Sequence, residues 1–269
     1  MDSQKLKEAI KSKQSYLCVG LDTDIARLPQ GFSKDFRGVI DFNKEIIDAT
    51  KDYAVAYKMN TAFYEQLGGD GWKALEKTRE LLPNNVLSIA DAKRGDIGNT
   101  SKMYAKAFFE TLDFDALTVA PYMGIDSVEP FLEFKNKYTI VLGLTSNKGS
   151  QNFQTNPLYQ PSLYKTVLNT IKGWGTIDNL MFVVGATKAD SLKEIRAIIP
   201  DHFLLIPGVG AQGGSAIEVC ENGKNSNGGL LINSSRGIIY ASSDKNFADV
   251  ARQKAKEIAL ETKPYTQHL

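Results

Sequence analysis

Eight short β-rich runs alternate with longer amphipathic stretches along this 269-residue chain. The strand candidates are 16–21, 54–59, 86–91, 116–121, 139–144, 180–185, 203–208 and 229–234. Helix candidates follow them at roughly 38–51, 70–82, 97–112, 124–135, 161–173, 188–199, 214–222 and 246–262. Near-continuous apolar strands such as 180-LMFVV-184 are what parallel strands need when helices cover them. This alternation predicts a closed (β/α)8 TIM barrel, with residues 2–13 as an extra N-terminal helix across its N-terminal end. No linker or composition shift divides the chain, so residues 1–269 are expected to form a single catalytic domain. An open doubly wound sheet is the alternative fold.

Composition excludes several classes. Lysine plus arginine number 32 and aspartate plus glutamate 31, so no global field draws the protein to nucleic acid or an anionic membrane. No apolar run approaches the roughly 20 residues of a membrane span, and the charged N-terminus has no signal-peptide core. Two cysteines and two histidines make neither a disulfide framework nor a zinc site, and a reducing, cytoplasmic setting is expected. His202 follows a Pro-Asp turn and His268 is next to last, so neither is placed as a catalytic base. Acid–base chemistry must come from lysine, aspartate and glutamate.

A barrel active site lies at the C-terminal strand ends. Strand 1 ends in Asp22, strand 2 in Lys58 and Asn60, and strand 3 in Asp91 and Lys93, followed by Arg94 and Asp96. Two-residue spacing points both members of each pair to the same side. Neighbouring strands would then bring Asp22, Lys58, Asp91 and Lys93 together, each lysine stabilising the carboxylates and each carboxylate keeping a lysine protonated. A purely structural ion-pair cluster is the competing reading, but buried ion pairs often lose in desolvation what they gain in attraction. Strand 5 ends in Thr145 and Ser146 and opens the longest irregular stretch, 145–161. Strand 7 runs into 207-PGVGAQGG-214 and strand 8 into 233-NSSRG-237. Glycine-rich backbone there can cradle an anion, Gln212 can donate from its amide, and Arg236 can grip two phosphate oxygens. Together these loops predict a phosphate monoester site.

The run 90-ADAKRGDIGNTSKMYAKAFF-109, with 20-GLD-22, 57-YKMN-60, 119-VAPYMG-124, 143-GLTSNKGS-150, 207-PGVGAQGG-214 and 234-SSRGI-238 in order, resembles the orotidine 5′-phosphate decarboxylase family. Its length and long loop after strand 5 are similar to the longer bacterial-type (type 2) branch. The resemblance implies conversion of orotidine 5′-monophosphate (OMP) to UMP and CO2, the last step of de novo pyrimidine synthesis, without metal or cofactor. It implies that Lys58, Asp91, Lys93 and Asp96 form an alternating charged array. Lys93 would be the proton donor to C6, and Asp91 would stand near the departing carboxylate. Asp96, with Ile97 and Thr100, would reach the neighbouring subunit's site in a homodimer. Asp22, Asn60 and Lys58 would bind ribose hydroxyls. Ser146, with Thr145 as a lesser candidate, would contact the pyrimidine. Pro207 would lie over the base, Gln212 and Arg236 would hold the phosphate, and Asn233 is a further candidate. Two alternatives stay open: another phosphate-binding barrel (a lyase, isomerase or Schiff-base aldolase), and a non-catalytic nucleotide-binding barrel. An aldolase needs a neutral amine, which flanking carboxylates oppose.

Overall fold

The computed structural model describes residues 1–185, 189–209, 214–267 and 269. Eight parallel strands follow one another around the barrel: β1 Leu17–Gly20, β2 Ala56–Asn60, β3 Leu87–Arg94, β4 Ala116–Val119, β5 Tyr138–Leu144, β6 Leu180–Val184, β7 Leu204–Pro207 and β8 Leu230–Ser234. β1 pairs with β2 on one side and with β8 on the other, where Cys18 stands opposite Asn233. Closure makes this a (β/α)8 barrel and excludes the open sheet. All five residues of β6 are buried, which explains its unbroken apolar sequence: one face fills the barrel, the other meets the helices.

The helices seat themselves by caps and apolar faces. Asp35 accepts hydrogen bonds from the backbone of Arg37 and Gly38 and starts helix Phe36–Thr50, whose Val39, Phe42, Ile46 and Ile47 turn inward at helical spacing. Phe42 stacks on Phe247 of the last helix, Phe247–Thr262, at 5.2 Å between ring centres. The helices that follow β1 and β8 thus close the outer layer where β8 meets β1.

The N-terminal helix, Ser3–Lys13, is present and crosses the floor. The Met1 amino group pairs with Asp115, just ahead of β4. Lys7 Nζ donates to Asn227 Oδ1 near β8 at 3.0 Å, and Lys13 Nζ donates to the Ala54 carbonyl below β2 at 2.7 Å. Leu6, Ala9 and Ile10 are buried beneath it. With the floor sealed, the mouth is where a ligand can enter.

Two expected helices differ. Residues 124–135 form a 3-10 turn, Ile125–Ser127, and a single helical turn, Glu129–Leu132. Gly124 has φ +97, outside the helical region, and Pro130 cannot donate to a turn before it. The expected helix 97–112 changes pitch, running as α-helix over Gly98–Lys106 and as a π-turn over Ala107–Thr111. Among the described residues, no helix is long and apolar enough to cross a membrane.

Candidate active site

The C-terminal ends of β1, β2 and β3 bring four charged side chains into one network. Lys58 Nζ lies 3.3 Å from Asp22 Oδ1 and 3.0 Å from Asp91 Oδ2. The other oxygen of Asp91 lies 2.6 Å from Lys93 Nζ, so this carboxylate bridges two ammonium groups. The Lys58 side chain is 5% exposed and that of Asp91 12%, whereas Lys93 is 47% exposed. Burial alone would push Lys58 toward the neutral amine, but Asp22 and Asp91 outweigh it and hold its pKa above the ordinary lysine value. Burial would likewise raise Asp91, yet Lys58 and Lys93 hold it well below the usual carboxylate range.

Asp91 and Lys93 do not meet by simple strand alternation. The β3–β4 ladder loses register between Ala90 and Arg94, and Lys93 has a left-handed backbone with φ +48. For a residue other than glycine that conformation costs on the order of 1 kcal/mol. The Lys93 N–H donates to Thr118 Oγ1 at 2.9 Å, and Thr118 Oγ1 donates to Asp91 Oδ1 at 3.0 Å. A bulge, not the two-residue spacing, therefore sets the pair.

Beside this network opens a cavity of about 480 Å³. Asp22, Lys58, Asn60 and Asp91 line it from the ends of β1, β2 and β3, and Pro207, Gly208, Asn233 and Arg236 from the ends of β7 and β8 and the connections after them. Asp22 Oδ1 also accepts the Asn60 backbone N–H at 3.1 Å, tying β1 to β2. Gly208 has φ +97, which lets the chain turn sharply over the cavity directly after Pro207. Arg236 is exposed and opens the short helix Arg236–Ile239; among the described residues it pairs with no carboxylate. Gln212, Gly210 and Gly213 lie outside the described residues.

Other expected site residues lie elsewhere. Among the described residues, Ser146 is not part of the cavity lining; it packs against Gly185, where a Cβ would come within 2.8 Å of the Ser146 backbone nitrogen. Thr145 N–H donates to Gln154 Oε1 at 2.8 Å and pins the start of the long loop. Asp96 turns back on its own backbone, accepting the Ile97 N–H at 2.8 Å, and joins no ion pair among the described residues. Ile97 and Thr100 face solvent. This chain alone thus brings Asp22, Lys58, Asp91 and Lys93 together but leaves Asp96, Ile97 and Thr100 outside.

Four lining residues escaped the sequence reading: Asp24, Arg27, Phe63 and Tyr240. The Arg27 guanidinium stacks 3.9 Å from the centre of the Tyr240 ring, and Tyr240 Oη accepts the Asp24 N–H at 2.7 Å. Asp24 and Arg27 follow Asp22 in the same connection, so reading whole loops rather than strand ends would have found them. Below the cavity, Cys18 Sγ lies 3.6 Å from Asn233 Oδ1, and burial pushes its thiol up to about 12, which makes it a poor nucleophile. Among the described residues, no group of three or more histidine, cysteine, aspartate or glutamate side chains is arranged to hold a metal ion.

Comparison with known proteins points to one family. The model of the orotidine 5′-phosphate decarboxylase / HUMPS family matches residues 15–250. The orotidine 5′-phosphate decarboxylase of Christiangramia forsetii is 62% identical over 259 residues, covering 95% of each chain. That of Flavobacterium johnsoniae is 56% identical over 264 residues, covering 97% of each. Among solved structures, OMP decarboxylase of Leishmania donovani superposes with a TM-score of 0.85 at 35% identity, covering 99% of each chain.

Proposed function

Because the chain belongs to the orotidine 5′-phosphate decarboxylase family, we propose that it converts OMP to UMP and CO2 at the mouth of its barrel. It is an enzyme of pyrimidine biosynthesis. The observation that carries the assignment of roles is Asp91 bridging Lys58 and Lys93, at 3.0 and 2.6 Å, beside a cavity whose lining includes Arg236.

The chemistry follows from the charges. The bond from C6 to the carboxylate breaks, its electron pair stays on C6, and CO2 leaves. A fixed ammonium at that position stabilises the developing charge before it forms, without reorganising solvent. Lys93 then gives an N–H proton to C6, forming the C–H bond of UMP. The neutral amine regains a proton from water, for which its half-exposed side chain is suited. Asp91 stands beside the departing carboxylate and, with Asp22, keeps Lys58 charged, while Asp22, Lys58 and Asn60 take the ribose hydroxyls. Arg236, with Gln212, holds the phosphate, and Pro207 covers the base. Phosphate binding lies far from the breaking bond but can drive closure and placement, so it raises the rate as well as affinity. Ser146 contacts the pyrimidine once the loop 145–161 moves over it.

Asp96, Ile97 and Thr100 serve the site of a second copy in a homodimer. Exposed apolar residues support this: Ile97, Met103, Tyr104, Tyr122, Met123 and Ile125 all lie on the connections after β3 and β4. Single exposed apolar residues are common, but six on two consecutive connections are what a contact surface between copies would need. The whole chain acts as one catalytic domain in the cytoplasm. The Schiff-base alternative suffers from the raised pKa of Lys58, which keeps that amine protonated.

The test is direct. Purified protein with OMP and a metal chelator should lose the substrate's absorbance and release CO2. OMP left intact, or borohydride trapping of a carbonyl substrate on Lys58 or Lys93, would overturn the reading.

A further inference from the structure

We infer that Thr118 is a positioning residue for Lys93: its single hydroxyl orients the bridging carboxylate and holds the bulged backbone of the lysine at once. The inference rests on the decarboxylase reading above.

Thr118 lies in β4 and is wholly buried. Its Oγ1 accepts the Lys93 N–H at 2.9 Å and donates to Asp91 Oδ1 at 3.0 Å. Those two bonds fix the direction of the hydroxyl proton, because an oxygen already accepting from Lys93 can satisfy Asp91 only by donating. The consequence runs along the network. Asp91 Oδ1, held by Thr118, faces Lys93 Nζ, and Oδ2 is left for Lys58 Nζ. Within a bulge, the Lys93 N–H has lost its ladder position, and φ +48 disfavours any residue with a side chain there. A side-chain acceptor is what lets a lysine occupy that position. Arg94 resumes the ladder immediately afterwards, its carbonyl accepting the Ala120 N–H at 2.8 Å. The bulge is thus clamped on both sides, and only the Thr118 clamp also touches the catalytic carboxylate.

Thr118 does not line the cavity, so its loss should leave nucleotide affinity alone and act on the chemical step. Thr118→Val keeps the shape and removes the hydroxyl. It should lower kcat about 10- to 100-fold, the loss expected from one hydrogen bond to a charged group, with KM for OMP and affinity for UMP within about 3-fold of wild type. Thr118→Ser should recover most of kcat. If the valine variant does not fold, Thr118→Ala against Thr118→Ser makes the same comparison. Unchanged kcat without the hydroxyl overturns the inference. So does a joint loss of kcat and UMP affinity that serine fails to recover, which would mark Thr118 as a packing residue. Wild-type protein inert toward OMP would instead fail the decarboxylase reading itself, taking this inference with it.

Discussion

The two ends of the barrel each hold cations partly withdrawn from water, and they treat them in opposite ways. At the floor, Arg196 donates to the carbonyls of Gly223 at 2.8 and 2.6 Å, Gly229 at 3.0 Å, His202 at 2.7 Å, Ile199 at 3.0 Å and Pro200 at 3.3 Å. Among the described residues no carboxylate pairs with it, and burial draws its pKa down to about 10. At the mouth, Lys58 and Lys93 share Asp91, and Arg236 stands exposed at a helix start. Neutral carbonyls fix a cation in place and use up its donors, which suits a staple. Carboxylates cancel charge, hold Lys58 protonated, and leave Lys93 half open to solvent. The contrast predicts that mouth substitutions act on turnover and floor substitutions on stability.

The largest effect belongs to Lys93. In the proposed mechanism Lys93→Ala removes both the charge stabilising C6 and the proton donor, so kcat should fall by at least about 10⁴-fold while UMP binding stays measurable. Nearly normal turnover would end its role as the acid. Mixed with Asp96→Ala, this variant should regain about a quarter of wild-type activity, since half of randomly formed dimers are hybrids and each has one intact site. No recovery despite proven subunit exchange would sink the shared site. Next comes Arg236→Ala, expected to cut kcat/KM for OMP about 10²- to 10³-fold, the worth of a two-pronged charged contact. Phosphate-free orotidine should be affected less than about 3-fold. An equal loss on both would remove Arg236 from the phosphate site.

The barrel and most of its mouth were legible in the sequence because burial on both faces forces unbroken apolar strands, and charge at their C-terminal ends then has one place to gather. Lys58 and Asp22 met because β1 and β2 are neighbours. What escaped were features that pattern does not encode. The bulge at Asp91–Lys93 depends on register with β4, and Lys93 itself gives no sign of a left-handed backbone. Thr118 reads as an ordinary strand residue, because threonine favours strands whether or not its hydroxyl has work. The stretch 124–135 has helical apolar spacing, but Gly124 and Pro130 break it. Asp96 and Ile97 matched a motif, yet one chain offers them nothing to touch at the cavity.

Arg196→Met tests the other side of the contrast. It keeps an apolar stem and strips every donor from the carbonyls at the floor, some of which water can reach. Stability in urea should fall by about 2–4 kcal/mol, with kcat of the folded protein within about 2-fold of wild type. A large loss of kcat at unchanged stability would erase the division between floor and mouth.

The smallest effect concerns His202, next to Arg196. Its ring meets Phe182 edge-on at 5.4 Å, and among the described residues neither ring nitrogen has a hydrogen-bond partner. Burial, then the nearby Arg196 charge, lowers its pKa below the ordinary histidine value. An unfolded chain therefore takes up this proton more readily than the folded one. The stability His202 contributes is complete above pH of about 6.5 and is lost as pH falls through the folded value. Between pH 7 and 5 the wild type should lose at most about 1 kcal/mol through this group, since solvent softens the effect. His202→Phe keeps the aromatic packing and should flatten that slope, leaving kcat at pH 7 unchanged. A phenylalanine variant as acid-sensitive as the wild type would assign the slope to other groups; one that lost turnover at full stability would show that the floor reaches the mouth after all.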